Sequence, residues 1–459
     1  MTLLQCISPI DGSVYAERQA ASVAEASKKV EAARRAQVSW AATPLEARIA
    51  TVMAGIQALG AMNDDIVPEL AWQMGRPVRY GGEFGGVNER ASHMASIAAA
   101  ALAPMEAGND TQFHRFIRRV PQELVFVIAP WNYPYMTAIN CVVPALIAGN
   151  AVMLKTAVQT LLVGERLEQA FAAGGLPEGV FQNVFLTHEV AGALIADNQF
   201  DFINFTGSVA GGQAVERAAA GTFTGVSTEL GGKDPGYVME DADLDAAVDT
   251  LIDGAMFNSG QCCCGIERIY VHDTLYDRFL EQAIATVQAY TLGNPLVPET
   301  TLGPMAHSRF ADTVRAQTGA ALAAGATAHI PRFEADDGGA YLTPQILTGV
   351  THDMAVMREE TFAPVVGIMP VSSDAEAIAL MNDSHYGLTA SLWTSDPERA
   401  IAVGDRIETG TVFMNRADYL DPALCWTGCK QTGRGASLSE LGFHAVTRPK
   451  SYHLKKVPT

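Results

Sequence analysis

Three consecutive cysteines, Cys262, Cys263 and Cys264, lie between two glycines in the run Phe257-Asn-Ser-Gly-Gln-Cys-Cys-Cys-Gly265. No regular backbone points three adjacent side chains the same way, so a glycine-bounded turn can present one of them as a nucleophile. The same residues read equally well as small buried hydrophobes, the commoner fate of free cysteine. A structural zinc fits poorly, because Cys425 and Cys429 are four apart but no second pair has ligand spacing. Glu229 precedes two glycines in Glu229-Leu-Gly-Gly-Lys-Asp-Pro235. Glycines let a backbone approach a ligand closely. A carboxylate there serves as a general base if burial raises its pKa, or is a solvated strand end if it does not. Asn132 sits between Pro130 and Pro134, which hold the chain in a non-helical turn. Its amide could meet developing negative charge or simply form the turn. The run Phe205-Thr-Gly-Ser-Val-Ala-Gly-Gly212 follows a strand pattern and opens a helix, which exposes backbone N–H groups to a phosphate. No G-x-G-x-x-G occurs, so the usual dinucleotide fingerprint is absent.

The elements that must position these residues are legible as patterns. Helical periodicity marks Val23–Trp40, Leu45–Leu59, Ile66–Met74 and Glu83–Leu102. Gln112–Arg119 and Glu123–Ile128 read as two strands meeting at Pro121. The chain then alternates strand and helix: Ala151–Lys155, Leu161–Ala173, Asn183–Leu186, Val190–Ala196, Phe202–Phe205, Gly212–Ala220. Alternation of this kind implies a parallel sheet with right-handed crossovers, whose ligands bind beyond the carboxyl ends of the strands. Lys155 and the turn Thr206-Gly207-Ser208 fall at such ends. A second alternating region holds Leu244–Met256, Arg268–Val271, Leu275–Tyr290 and Val412–Asn415, and the tail Arg448–Lys456 is polar and strand-like.

Composition narrows the function classes. Of 459 residues 48% are hydrophobic and 18% charged, which describes a folded globular chain and excludes disorder or a small disulfide scaffold. The net charge of −19 repels phosphate backbones, so no nucleic-acid partner is expected. Seven cysteines, an odd number, imply reduced thiols and a cytoplasmic setting, and the N-terminal run lacks the basic and apolar regions of a signal peptide. Leu124–Leu154 carries no charge, but Pro130, Pro134 and Pro144 interrupt it. In lipid those breaks would orphan backbone groups, so a buried strand, loop, helix and strand is expected and no membrane partner.

Together these motifs resemble the aldehyde dehydrogenase superfamily. Glu229-Leu-Gly-Gly-Lys233 is similar to its glutamate signature and Gly260-Gln-Cys-Cys-Cys264 to its cysteine signature, with Cys263 in the nucleophile position, 34 residues after Glu229. Pro130-Trp-Asn132, Phe205-Thr-Gly-Ser208, Glu359-Glu-Thr-Phe-Ala-Pro364, Tyr386-Gly-Leu388 and Lys430-Gln-Thr-Gly433 follow the family order, and the resemblance runs from Ser8 almost to the C-terminus. It implies an α/β, aldehyde-dehydrogenase-like fold: a parallel-sheet cofactor domain (1–110 and 127–231), an α/β catalytic domain (232–430) and a small β oligomerisation unit (111–126 and 431–459). That unit would be a Gln112–Val127 hairpin with the tail after Phe443, pairing with another subunit of a homodimer or homotetramer.

The implied activity is NAD- or NADP-dependent oxidation of an aldehyde to its acid. Cys263 would attack the aldehyde, Asn132 and the Cys263 N–H would hold the oxyanion, and Glu229 would activate the hydrolytic water. The resemblance assigns cofactor contacts to Ile128, Pro130, Trp131, Lys155, Gly207, Ser208, Leu230, Gly231, Glu360 and Phe362. It places Tyr133, Thr137, Asn140, Asp418 and Trp426 in the substrate tunnel. Thr137 and Asn140 make the wall polar, which suits a small or polar aldehyde, and Asp418 or the aromatic faces could meet a cationic group; a solvated Asp418 is the plain alternative. Val158 replaces a ribose-binding glutamate of relatives and would not repel a 2′-phosphate, so either nucleotide is expected. Gly211 and His188 make the adenine pocket atypical, and Cys141 and Ser437 replace a lysine and a glutamate of the relatives' proton path. Two competing functions share the fold: acyl transfer to coenzyme A, which a hydrolytic Glu229 opposes, and a non-catalytic structural or binding role. A cysteine hydrolase without nucleotide is a third.

Overall fold

The computed structural model describes residues 2–456. Leu124–Ile128 and Ala151–Lys155 are buried along their whole length, as expected of apolar strands covered on both faces. They pair in parallel at the centre of a six-stranded sheet. Its order is Gly433–Arg434, Gly225–Glu229, Phe202–Thr206, Leu124–Ile128, Ala151–Lys155, Phe181–Asn183, and only Gly433–Arg434, at one edge, runs antiparallel. Between the central strands runs the helix Pro134–Ala148, buried over most of its surface, with Pro134 in its first turn and Gly149 (φ 95°) ending it in the left-handed region. The uncharged stretch is therefore a core βαβ unit. No helix among the described residues is long and apolar enough to cross a membrane.

The second sheet has seven strands, in the order Thr327–Ala328, Gln345–Thr348, Val365–Val371, Ile266–His272, Asp234–Val238, Thr389–Trp393, Thr411–Met414, all parallel except the first. The cysteine segment joins this sheet's helix Leu244–Met256 to its strand Ile266–His272. The glutamate segment links the two sheets, since Glu229 ends a strand of the first and Asp234 begins one of the second.

The expected Gln112–Val127 hairpin does not form. Phe113–Pro121 and Leu124–Ile128 separate at Glu123 (φ 113°), and the second strand enters the central sheet because all its side chains are apolar and need cover on both faces. A boundary at 126/127 would cut that strand. The tail also finds its partner inside its own chain. Thr447–Lys455 pairs antiparallel with Phe113–Pro121 from Thr447 opposite Pro121 to Lys455 opposite Phe113, and Met105–Glu106 completes a three-stranded sheet. Residues 431–446 do not belong to it: Gly433–Arg434 borders Gly225–Glu229 and the helix Ser439–Ala445 packs on Phe84–Ala101. The last three residues of the expected segment, 457–459, lie outside the described residues. The strand expected over Asn183–Leu186 ends at Asn183, although Val184 N–H still reaches Leu154 O at 2.9 Å.

Candidate active site

The cysteines are presented by an unusual turn. Asn258 (φ 53°), Ser259 (φ 55°) and Gly260 (φ 67°) are successive left-handed residues, a conformation that costs a side-chain-bearing residue about 1–2 kcal/mol. Hydrogen bonds hold it. The Asn258 amide donates to Asn132 O (3.4 Å) and Gln261 O (3.3 Å), and Ser259 Oγ donates to Gly303 O (2.8 Å). Gln261 donates to Asn258 O (3.0 Å) and accepts from Ala306 N–H (2.8 Å). A Cβ at Gly260 would fall on the Ala363 backbone, so only glycine fits.

This turn separates the three thiols by environment. Cys262 and Cys264 are buried, while Cys263 is part-exposed and lines two cavities. The three sulfurs lie within 4.8 Å of one another. Cys262 and Cys264 also face Asp418 Oδ1, at 3.3 and 2.9 Å. The Cys262 and Cys264 thiols beside it pull the Cys263 pKa below the ordinary cysteine range, and burial opposes this only in part. Both flanking thiols are pushed up.

The first cavity, of about 260 Å³, holds Pro130, Trp131, Asn132, Gly207, Ser208, Leu230, Gly231, Glu360 and Phe362 together with Cys263. It lies where the parallel strands end, and Ser208 caps the helix Val209–Ala219 through Gly211 N–H (3.2 Å). Two expected cofactor contacts do not line it. Ile128 is buried, and Lys155 is buried with Nζ 3.4 Å from Thr156 O, its pKa lowered to about 8 by burial. Glu360 accepts from Gly232 N–H (3.1 Å), and a Cβ at Gly231 would strike its carboxylate. Burial, then the nearby Glu267, raises Glu360 to about 8. Phe362 (φ 52°) meets Trp131 edge-on at 5.6 Å, and its N–H donates to Glu267 Oε1 (2.8 Å).

The second cavity, of about 290 Å³, gathers all five expected tunnel residues, Tyr133, Thr137, Asn140, Asp418 and Trp426, against Cys263 and Glu229. Asp418 is not a solvated surface group: it faces inward and receives the two flanking thiols. Thr137 and Glu229 line both cavities. Glu229 is 8% exposed, and its Oε1 has no hydrogen-bond partner. Burial raises its pKa, with the nearby Ser437 hydroxyl and the Arg90 charge pulling partly back. Ser437 Oγ closes no hydrogen bond, and Cys141 is a buried thiol pushed up by desolvation and by Glu229.

Asn132 depends on residues that the sequence pattern did not single out. Its Nδ2 donates to Gln261 O (3.2 Å), and its backbone carbonyl accepts from Arg76 Nη2. Arg76 also pairs with buried Glu83 at 2.9 Å, and Glu83 Oε2 accepts Met136 N–H (2.7 Å) at the start of the helix Pro134–Ala148. Both lie in the connection between the helices Asn63–Met74 and Phe84–Ala101, where no periodic pattern marks them, and the residues they hold, Asn132 and Met136, are over fifty residues further on. Arg76→Met leaves Glu83 as an uncompensated buried charge. The expected loss is about 3–5 kcal/mol, read as a lower urea midpoint.

Comparison with known proteins identifies the family. Residues 2–452 match the sequence pattern of the aldehyde dehydrogenase family. An aldehyde dehydrogenase of Paenarthrobacter nicotinovorans is 33% identical over 457 residues, 97% of this chain and 98% of that protein. The structure is similar to succinic semialdehyde dehydrogenase of Streptococcus pyogenes in complex with NADP+ (TM-score 0.93, 28% identity, 99% of this chain and 100% of that one). It is also similar to betaine aldehyde dehydrogenase of Staphylococcus aureus in complex with NAD+ (TM-score 0.94, 27% identity, 100% and 92%). The chain belongs to the aldehyde dehydrogenase family of oxidoreductases.

Proposed function

We propose that this protein oxidises a small or polar aldehyde to the carboxylic acid with NAD or NADP, through a thioester on Cys263. The observation that carries this reading is the meeting of two cavities at one activated thiol. The first suits a dinucleotide: it opens on a helix N-terminus at Ser208, where backbone N–H groups favour phosphate, and offers the Glu360 carboxylate and the Phe362 face beyond it. The bound nucleotide supplies a hydride acceptor. Residues of this chain do the rest. Cys263, as thiolate, attacks the aldehyde carbon held in the second cavity. The Asn132 amide and the Cys263 N–H stabilise the oxyanion as charge develops. After hydride departure Glu229 takes a proton from water, which hydrolyses the thioester. Its raised pKa and unpartnered Oε1 suit a base that must accept a proton near neutral pH. With Cys141 and Ser437 beside it, the proton leaves through water.

Val158, in the turn after Lys155, presents no carboxylate to a 2′-phosphate, which supports NADP as well as NAD. Seven unbridged cysteines support a cytoplasmic setting. The strand Thr447–Lys455 is largely exposed, although Tyr452 stacks on Phe116 (4.6 Å). That exposed edge strand is the surface a second copy would cover in a homodimer or homotetramer. The deciding experiment offers a panel of aldehydes with NAD and with NADP separately and follows reduced-nicotinamide absorbance. Aldehyde-dependent reduction without coenzyme A is expected. Turnover only with coenzyme A would replace hydrolysis by acyl transfer, and binding without reduction would mark a non-catalytic role.

A further inference from the structure

Arg90, on the helix Phe84–Ala101, is 7% exposed and lines the second cavity. Its Nη1 donates to Met136 O (3.2 Å) and to Asn140 Oδ1 (3.1 Å). Among the described residues no carboxylate forms an ion pair with it, and Nε and Nη2 have no acceptor. Arginine cannot shed its proton to escape burial, and although the Glu83 and Glu229 carboxylates act on its charge from a distance, neither contacts it, so donors of its fork stay unmatched. Other deeply buried side chains of this type are satisfied. Arg76 pairs with Glu83 and Lys233 with Glu267. Arg268 has no carboxylate, but its Nε, Nη1 and Nη2 all donate, to Lys233 O, Leu380 O and Met381 O. Arg90 alone of these arginines keeps a free edge, on a residue that lines the same cavity as Cys263.

A second unsatisfied donor adjoins it. Asn140 Nδ2 is buried without a partner, on the residue whose Oδ1 Arg90 holds. The acids that share the cavity are otherwise engaged. Glu89 receives the Tyr419 hydroxyl, Asp418 Oδ1 receives the Cys262 and Cys264 thiols, and burial favours the neutral forms of Asp418 and Glu229. A guanidinium edge beside an amide N–H is the complement of a carboxylate. We propose that the second cavity takes an aldehyde whose far end is a carboxylate, seated on Arg90 and Asn140 Nδ2. This rests on reading that cavity as the aldehyde site, and it replaces a cationic group on Asp418 as the polar feature recognised.

The test compares three four-carbon aldehydes, succinic semialdehyde, butanal and aminobutyraldehyde, in the native enzyme and in Arg90→Met and Arg90→Lys. The native kcat/KM for the acid should exceed that for butanal by about 10–100-fold, mostly through KM. In Arg90→Met that ratio should collapse to within about threefold, and Arg90→Lys, which keeps the charge without the planar fork, should restore part of it. A parallel reading needs neither turnover nor a folded variant. Succinate, but not succinamide, should slow alkylation of Cys263 by iodoacetamide in the native protein. Equal native rates on acid and neutral aldehyde, preference for the amine, equal loss on all three substrates in Arg90→Met, or absence of succinate protection would each overturn the proposal. If no aldehyde is oxidised yet succinate protects, the oxidation reading fails and the anion site stands.

Discussion

Cys263→Ala is expected to remove aldehyde oxidation by a factor on the order of 10⁶, the scale seen when a catalytic nucleophile is deleted. The fold should survive, because Cys263 is part-exposed and the turn around it is held by Asn258, Ser259 and Gln261 rather than by its sulfur. Cys262→Ala and Cys264→Ala should behave differently. Each removes a neighbouring thiol that lowers the Cys263 pKa. The expected result is slower oxidation at neutral pH with activity recovered as pH rises. Iodoacetamide checks the cause directly. Alkylation of native Cys263 should remain fast well below the ordinary thiol pKa of about 8.5 and shift upward in either flanking variant. Both variants also free Asp418 Oδ1 of one thiol. A flanking variant that matches Cys263→Ala in loss of turnover would move the nucleophile to another sulfur.

Glu229→Gln should separate the two halves of the reaction. The first half needs Cys263 and a hydride acceptor; the second needs a base for water. Glutamine keeps the shape of the side chain but cannot take the proton. Rapid mixing should therefore show one equivalent of reduced nucleotide per site, followed by turnover slowed by about 10²–10⁴-fold. Mass spectrometry should find the acyl group on Cys263. In the native enzyme the hydrolytic step should gain rate with rising pH through a midpoint above the ordinary carboxylate value of about 4.3, since burial raises the Glu229 pKa and only the ionised form is a base. The variant should lose that dependence. A variant that loses the burst as well would place Glu229 before hydride transfer rather than after it.

The centre of the first sheet was legible because Leu124–Ile128 and Ala151–Leu154 are continuous apolar runs and the helices Pro134–Ala148 and Leu161–Ala173 are closed by Gly149 and Gly174. Ala151–Lys155 and Leu161–Ala173 lie where periodicity puts them. The Gln112–Val127 hairpin was misread because two adjacent strands joined by a short turn ordinarily pair. Here the difference in apolarity between Arg115–Arg119 and Leu124–Ile128 sends them to separate sheets. At the site, sequence named the residues that gather around Cys263, but not those that hold them. Asn132 is fixed by Arg76, 56 residues earlier, and by Asn258, 126 residues later. Periodicity reports which face is buried and carries no record of partners at such separations.

From the sequence alone came the chemistry of Cys263, Glu229 and Asn132 as expectations, and the α/β alternation that puts strand ends beside them, because motif spacing and hydrophobic period are local properties. Only the tertiary structure decided which of three adjacent thiols faces both cavities, that Asp418 is spent on the other two, that the tail strand pairs within its own chain, and that Arg90 lines the tunnel with no carboxylate in contact with it. Each of those depends on how distant segments exclude water from one another, and exclusion of water is what turns an ordinary side chain into a perturbed one.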